Sequence, residues 1–254
     1  MARRVPPEGG YVRAVEIVVP PEERHAYPLN LPAIRNVRSL PLDPRMTIFV
    51  GENGSGKSTL VEAIGVAAGF NAEGGSANFR FRTQRREPDL ARHIRLVRNP
   101  VRPSDGFFLR AESFFNVATE IERLDEVPGA GPRIGPAYGP RPLHEVSHGE
   151  SFLALTLHRF RPRGLYVLDE PEAAMSPTGC LALLRRFTDL ALAGCQFIVA
   201  THSPILMAFP GALLYDLTGE GPRETSWGDL GHVRVMREFL EQPELVLDVL
   251  LTPE

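Results

Sequence analysis

Short continuous apolar runs alternate along this chain with longer stretches whose apolar positions recur at helical spacing. Tyr11 to Val19 alternates as a strand and stops at Pro20 and Pro21. Residues 31–50 hold two further strands, the second ending in the unbroken run Thr47-Ile48-Phe49-Val50. From Lys57 to Ala68, the positions of Leu60, Val61, Ile64 and Ala68 trace one face of a helix. Phe107–Leu109 reads as a strand, Ala111–Leu124 as a helix and Phe152–Phe160 as another helix. Then come a buried strand at Leu165–Leu168, a helix at Leu181–Leu192, strands at Phe197–Ala200 and Leu213–Leu217, and two short helices between Val233 and Leu251. Apolar strands alternating with helices predict an α/β fold with a mostly parallel sheet covered on both faces. The strand-rich start adds an antiparallel β portion. No internal repeat and no heptad pattern is visible.

The expected organisation is one domain over residues 1–254, with a strand-rich portion at 1–50, a Pro/Gly-rich loop at 127–142 and a C-terminal helical tail at 218–254. An apolar fraction of 43% and a charged fraction of 23% are ordinary for such a domain. A net charge of -3 provides no global attraction for nucleic acid. No run approaches the roughly 18 apolar residues of a membrane helix, and Met1–Gly10 lacks the apolar core of a leader. Cys180 and Cys195 do not have metal-ligand spacing and read as small buried hydrophobes in a reducing, cytoplasmic compartment.

Composition matters most at one position. Among 28 basic residues, Lys57 is the only lysine. A compact ammonium and a planar guanidinium meet a phosphate differently, and Lys57 stands where that difference counts. Gly51-Glu52-Asn53-Gly54-Ser55-Gly56-Lys57-Ser58, followed by Thr59, fits the phosphate-cradling P-loop, between a predicted strand and a predicted helix. Glycines let the backbone wrap a phosphate with its N–H groups inward, and the helix N-terminus adds partial positive charge. Lys57 is expected to reach the β- and γ-phosphates, and Ser58 to coordinate Mg²⁺.

Leu165-Tyr166-Val167-Leu168-Asp169-Glu170 is an apolar strand that delivers two acids at its C-terminal end, where α/β sheets bind ligands. Asp169 is the expected Mg²⁺ partner and Glu170 the base that orients an attacking water. The next apolar strand, Phe197–Ala200, leads into Thr201-His202-Ser203. Parallel neighbours would bring His202 to the same edge as Glu170.

In this order, these elements resemble the ABC-type ATPases over roughly Arg35 to Pro210. Between the P-loop and the acidic strand, Val146-Ser147-His148-Gly149-Glu150-Ser151 is similar to the family's Leu-Ser-Gly-Gly-Gln signature, with His148 in place of a glycine and Glu150 in place of the glutamine. The resemblance implies that Ser147, Gly149 and Glu150 open a helix aimed at the γ-phosphate held by a second protomer. It also implies that His202 is the switch histidine, that Gln84 senses Mg²⁺ and water, and that Tyr27 stacks on adenine. After the acidic strand, Ser176 stands where the family often has an aspartate. The runs Asn71–Gly75 and Arg110–Phe115 look like a compact bacterial group of predicted AAA/ABC ATPases, similar in head architecture to chromosome-maintenance and DNA-repair ATPases but without their coiled coils.

The implied cofactors are ATP and Mg²⁺, and the implied assembly is an ATP-induced homodimer that hydrolyses ATP between its halves. Three processes fit. Arg80, Arg82, Arg85, Arg86, Arg92, Arg95, Arg98 and Arg102 could form a phosphate-binding face for DNA or RNA, although a solvated arginine-rich surface explains the same residues. A membrane-transporter subunit is the second, and would need a membrane partner. A slow ATP-dependent switch or scaffold is the third.

Overall fold

The computed structural model describes residues 10–31, 33–76, 89–111 and 148–252, together with 119, 123 and 135. Nine strands and six helices organise these residues: β1 (Val12–Ile17), β2 (Ser39–Pro41), β3 (Met46–Val50), α1 (Lys57–Ala68), β4 (Ile94–Arg98), β5 (Asp105–Arg110), α2 (His148–His158), β6 (Gly164–Asp169), α3 (Pro177–Leu192), β7 (Gln196–Ala200), α4 (Pro204–Met207), β8 (Leu213–Thr218), β9 (Gly221–Thr225), α5 (Gly231–Glu241) and α6 (Pro243–Leu251).

The main sheet has the order β5-β6-β7-β3-β8-β9. Its first five strands run parallel, and β9 turns back antiparallel on β8. A second, antiparallel sheet has the order β2-β1-β4. This is the predicted parallel core with an antiparallel addition.

Why the central strands read as continuously apolar is clear from their burial. Every residue of β3, β6 and β7 is buried, because both faces of the main sheet are covered. Alternation then sorts side chains between two cores. Tyr166, Leu168, Phe197 and Val199 join Phe152 and Leu155 of α2 and Leu183, Phe187 and Leu190 of α3 on one face. Leu165, Val167, Ile198 and Ala200 join Leu60, Val61 and Ile64 of α1 and Val12, Val15 and Ile17 of β1 on the other. Gln196 joins the two sheets: its Oε1 accepts from the amides of Tyr11 (2.8 Å) and Val12 (2.9 Å), while its Nε2 donates to the carbonyls of Val12 (2.7 Å) and Asp43 (3.0 Å). A buried amide with both ends satisfied fixes orientation without an unpaired polar group.

Several expectations are corrected. The helix expected from Leu181 begins at Pro177, because Ser176 caps it by accepting from the amide of Gly179 at 3.1 Å. The helix expected from Phe152 begins at His148. β4 was not expected within the arginine-rich stretch, since its side chains are only half-buried or exposed. The 218–254 tail is not wholly helical, because it contains β9, an edge strand with one buried residue where Pro222 is tolerated. Most of the 127–142 loop and most of the Ala111–Leu124 helix lie outside the described residues.

Candidate nucleotide site

Register gathers the functional side chains. Asp169 pairs with Ala200, and Ala200 with Phe49, so β6, β7 and β3 end within one residue of one another. One residue further on stand Glu170, Thr201 and Val50; two further on, His202 and Gly51 lie at the same edge. Two backbone bonds extend the ladder past the strands, from the Glu170 amide to the Ala200 carbonyl at 2.9 Å and from the Thr201 amide to the Phe49 carbonyl at 3.2 Å.

From β3 the chain enters the loop Gly51–Gly56 and returns as α1. Gly54 and Gly56 both have positive φ, 81° and 97°, a conformation that side-chain-bearing residues rarely adopt. Lys57 is the first helical residue and is 4% exposed. Its ammonium is folded back on its own loop, donating to the carbonyls of Gly51 at 2.6 Å and Glu52 at 3.1 Å. Burial pushes the Lys57 ammonium below its ordinary pKa range, and the nearby Glu170 and Asp169 carboxylates oppose that shift. Ser55 Oγ is buried within the loop with no hydrogen-bond partner among the described residues.

Asp169 is buried, whereas Glu170 keeps its carboxylate partly exposed. Glu170 also has a positive φ of 51°, which costs a side-chain-bearing residue about 1 kcal/mol. Strain of this kind collects at functional turns. Its Oε1 lies 3.5 Å from His202 Nε2. The Thr201-His202-Ser203 turn is clamped from below by Glu172, whose Oε1 accepts from the amides of His202 (2.6 Å) and Ser203 (3.0 Å). Burial raises the Glu172 pKa, and bonds from Thr201, His202 and Ser203 pull it back. Burial lowers the His202 pKa, reinforced by the Lys57 charge and opposed by Glu170.

A cavity of about 340 Å³ opens over this edge, lined by Tyr27, Leu31, Asn53, Gly54, Gly56, Lys57, Ser58, Thr59 and Glu170. Tyr27, one of the lining residues, is 72% exposed. The volume is within the range of small-ligand sites.

Two family models match the chain in succession: one described as "AAA domain" over residues 30–118, the other as "AAA domain, putative AbiEii toxin, Type IV TA system" over residues 116–208. A curated protein of Rhizobium etli, "Putative ribose/galactose/methyl galactoside import ATP-binding protein 1", is 28% identical over 173 residues. The match takes in 61% of this chain and 33% of that protein, so the chain spans about a third of its relative's length. The solved SmcHead bound to the C-winged helix domain of ScpA shares the fold at 14% identity and a TM-score of 0.50, over 85% of this chain and 97% of that one. A nucleotide-free ATP-binding cassette from an ABC transporter is similar at 15% identity and a TM-score of 0.46, over 96% of this chain and 100% of that one.

The fold is that of a P-loop protein of the ABC type. Within this fold, the sequence-predicted residues Gly51 to Thr59, Asp169, Glu170 and His202 converge on one sheet edge, as their motif order requires. Gly149 and Glu150 stand in the first turn of α2, with Glu150 exposed. Gly149 has a packing reason for being glycine: a Cβ there would lie 2.5 Å from the Ala174 carbonyl oxygen, so α2 rests directly on the segment that follows Glu170. Ser147 and Gln84 lie outside the described residues, as do Arg80, Arg82, Arg85 and Arg86. Of the remaining arginines, Arg95 pairs with Glu16 at 2.8 Å and Arg98 donates to the Ala67 carbonyl at 2.9 Å.

Two residues at the site had no assigned role in the sequence. Glu172 lies two positions beyond Glu170, and its clamp on the His202 turn needs the strand register to be seen. His232, on α5, approaches His202 from 30 residues away with Nε2 at 3.4 Å from His202 Nδ1. No motif spacing reports that encounter.

Proposed function

We propose that the chain binds ATP with Mg²⁺ and hydrolyses it to ADP and phosphate, in composite sites formed when two copies close on each other. The observation that carries this reading is the meeting of a buried lysine, two carboxylates and an imidazole at the ends of three adjacent parallel strands, above a glycine loop that opens a helix. Lys57 would leave its own loop carbonyls for the β- and γ-phosphates, while the loop amides and Ser55 Oγ hold the phosphate oxygens. Ser58 and Asp169 supply the hard oxygen donors that suit Mg²⁺, which would take its other ligands from phosphate and water. When bound, that ion would supply positive charge that offsets the charge of the phosphates.

Glu170 is the base. Its carboxylate orients a water and receives its proton as the water oxygen bonds to the γ-phosphorus and the bond from that phosphorus to the bridging oxygen breaks. His202 stabilises the charge on the γ-phosphoryl oxygens. Ser147, Gly149 and Glu150 of the second copy close the site from the opposite side, and loss of the γ-phosphate lets the dimer open.

Complementation tests the composite site. Lys57→Ala and Ser147→Arg proteins should each fail to release phosphate, yet their mixture should regain turnover, because one site of the mixed dimer has both halves intact. Turnover should also rise more steeply than protein concentration. No recovery on mixing would confine the site to a single chain.

DNA or RNA maintenance or defence is the favoured process, supported by the exposed Arg92, Arg95, Arg98 and Arg102 on and beside β4. Binding that weakens with salt and stimulates turnover is the expected result. The import function named for the Rhizobium etli relative supports a second reading, a transporter subunit, and co-purification with a membrane protein would favour it.

A further inference from the structure

His202 is fixed twice over. Glu172 holds its backbone, leaving ring orientation and proton position to the groups around the imidazole. On one side, Nδ1 lies 3.4 Å from Nε2 of His232, with the ring centroids 5.5 Å apart and the planes tilted by 54°. On the other, Nε2 faces Glu170 Oε1 at 3.5 Å and is buried with no hydrogen bond to any described residue. Burial and the Lys57 charge both disfavour the imidazolium, so the neutral ring, with one donor and one acceptor nitrogen, is the form to consider.

The two tautomers differ in what they present to the site. With its proton on Nδ1, His202 would donate to His232 and turn a buried lone pair on Nε2 toward a carboxylate oxygen, acceptor against acceptor. With its proton on Nε2, it offers a donor to Glu170 and to any phosphoryl oxygen arriving beside it, while Nδ1 must receive a hydrogen bond from elsewhere. His232, near the start of α5, is placed to give that bond.

We propose that His232 is a positioning residue: its Nε2–H donates to Nδ1 of His202 and locks His202 in the Nε2–H tautomer that the proposed ATP site needs. The inference rests on the ATPase reading for its purpose but not for its geometry. It also makes the C-terminal helices part of the site's machinery, since moving α5 would withdraw the donor.

The test uses the full chain labelled with ¹⁵N-histidine, with long-range ¹H–¹⁵N spectra at neutral pH. The His202 signals are assigned by their loss in His202→Gln. The expected pattern is a protonated Nε2 and an unprotonated Nδ1, shifting toward a mixture of tautomers in His232→Ala. In parallel, His232→Ala should lower kcat for ATP about tenfold with the nucleotide Kd unchanged, whereas His232→Gln, which retains an N–H donor, should keep kcat within about threefold of the unaltered protein. Finding His202 protonated on Nδ1, or a tautomer unaltered by His232→Ala, would overturn the proposal. A protein that releases no phosphate from ATP would refute the ATPase reading, while the spectra still decide the role of His232.

Discussion

Two ends of this molecule are built by different rules. At the nucleotide edge of the main sheet, each functional group is set by strand register, by a second anchor, or by both. Asp169 ends β6, Glu170 and His202 follow strands that end side by side, Glu172 clamps the His202 turn, and Lys57 is held by its own loop. In the C-terminal helix pair the only buried side chain is Val233 of α5; α6 buries none, and Leu245, Leu247, Val249, Leu250 and Leu251 are all exposed. Chemistry has been placed where position is over-determined. The region joined to it through His232 carries apolar side chains that no described residue covers.

The sharpest way to break this contrast is to remove the lysine. Lys57→Ala should reduce ATP turnover by about a thousandfold and weaken nucleotide binding, as expected when a preorganised charge is lost. Turnover assays with equilibrium binding check it, and a loss below about tenfold would mean that the loop does not hold phosphate.

Next is the clamp. Glu172→Ala removes the acceptor for the His202 and Ser203 amides and should destabilise the fold by about 2 kcal/mol, measured by denaturant unfolding, while slowing turnover through a displaced His202. Unchanged stability would show that the turn is held by something other than Glu172.

What the sequence disclosed follows the same division. The P-loop, the acidic strand and the following His202 were legible because strand-to-helix alternation and buried apolar runs fix where those residues must sit. Ser176 was noted as a departure from the family pattern, and the structure gives it a local reason, capping α3. β4 and β9 escaped notice because they are exposed or bounded by glycine and proline, so their apolar signal is weak. Glu172 and His232 could not be assigned roles from spacing, since their partners come from register and from a helix packed back across the chain.

A smaller effect concerns pH. The His202 pKa is lowered in the fold, so the nucleotide-free protein should be most stable above the unfolded histidine pKa of about 6.5 and lose stability as pH falls through and below it. Thermal unfolding of the unaltered protein should therefore fall more steeply toward acid than that of His202→Gln. Parallel curves would mean that the imidazole is not destabilised in its charged form.

Smallest of all should be Leu250→Asp on α6, expected to change stability by less than about 0.5 kcal/mol, because the side chain is already in water. A cost above about 1.5 kcal/mol would erase the contrast between the two regions.

The central claim is that ATP is hydrolysed at the end of β6 by water that Glu170 activates. It is tested most directly by measuring nucleotide binding and phosphate release side by side for Glu170→Gln. The account predicts ATP affinity close to that of the unaltered protein, with release slowed by about a thousandfold. Release at the unaltered rate would contradict it.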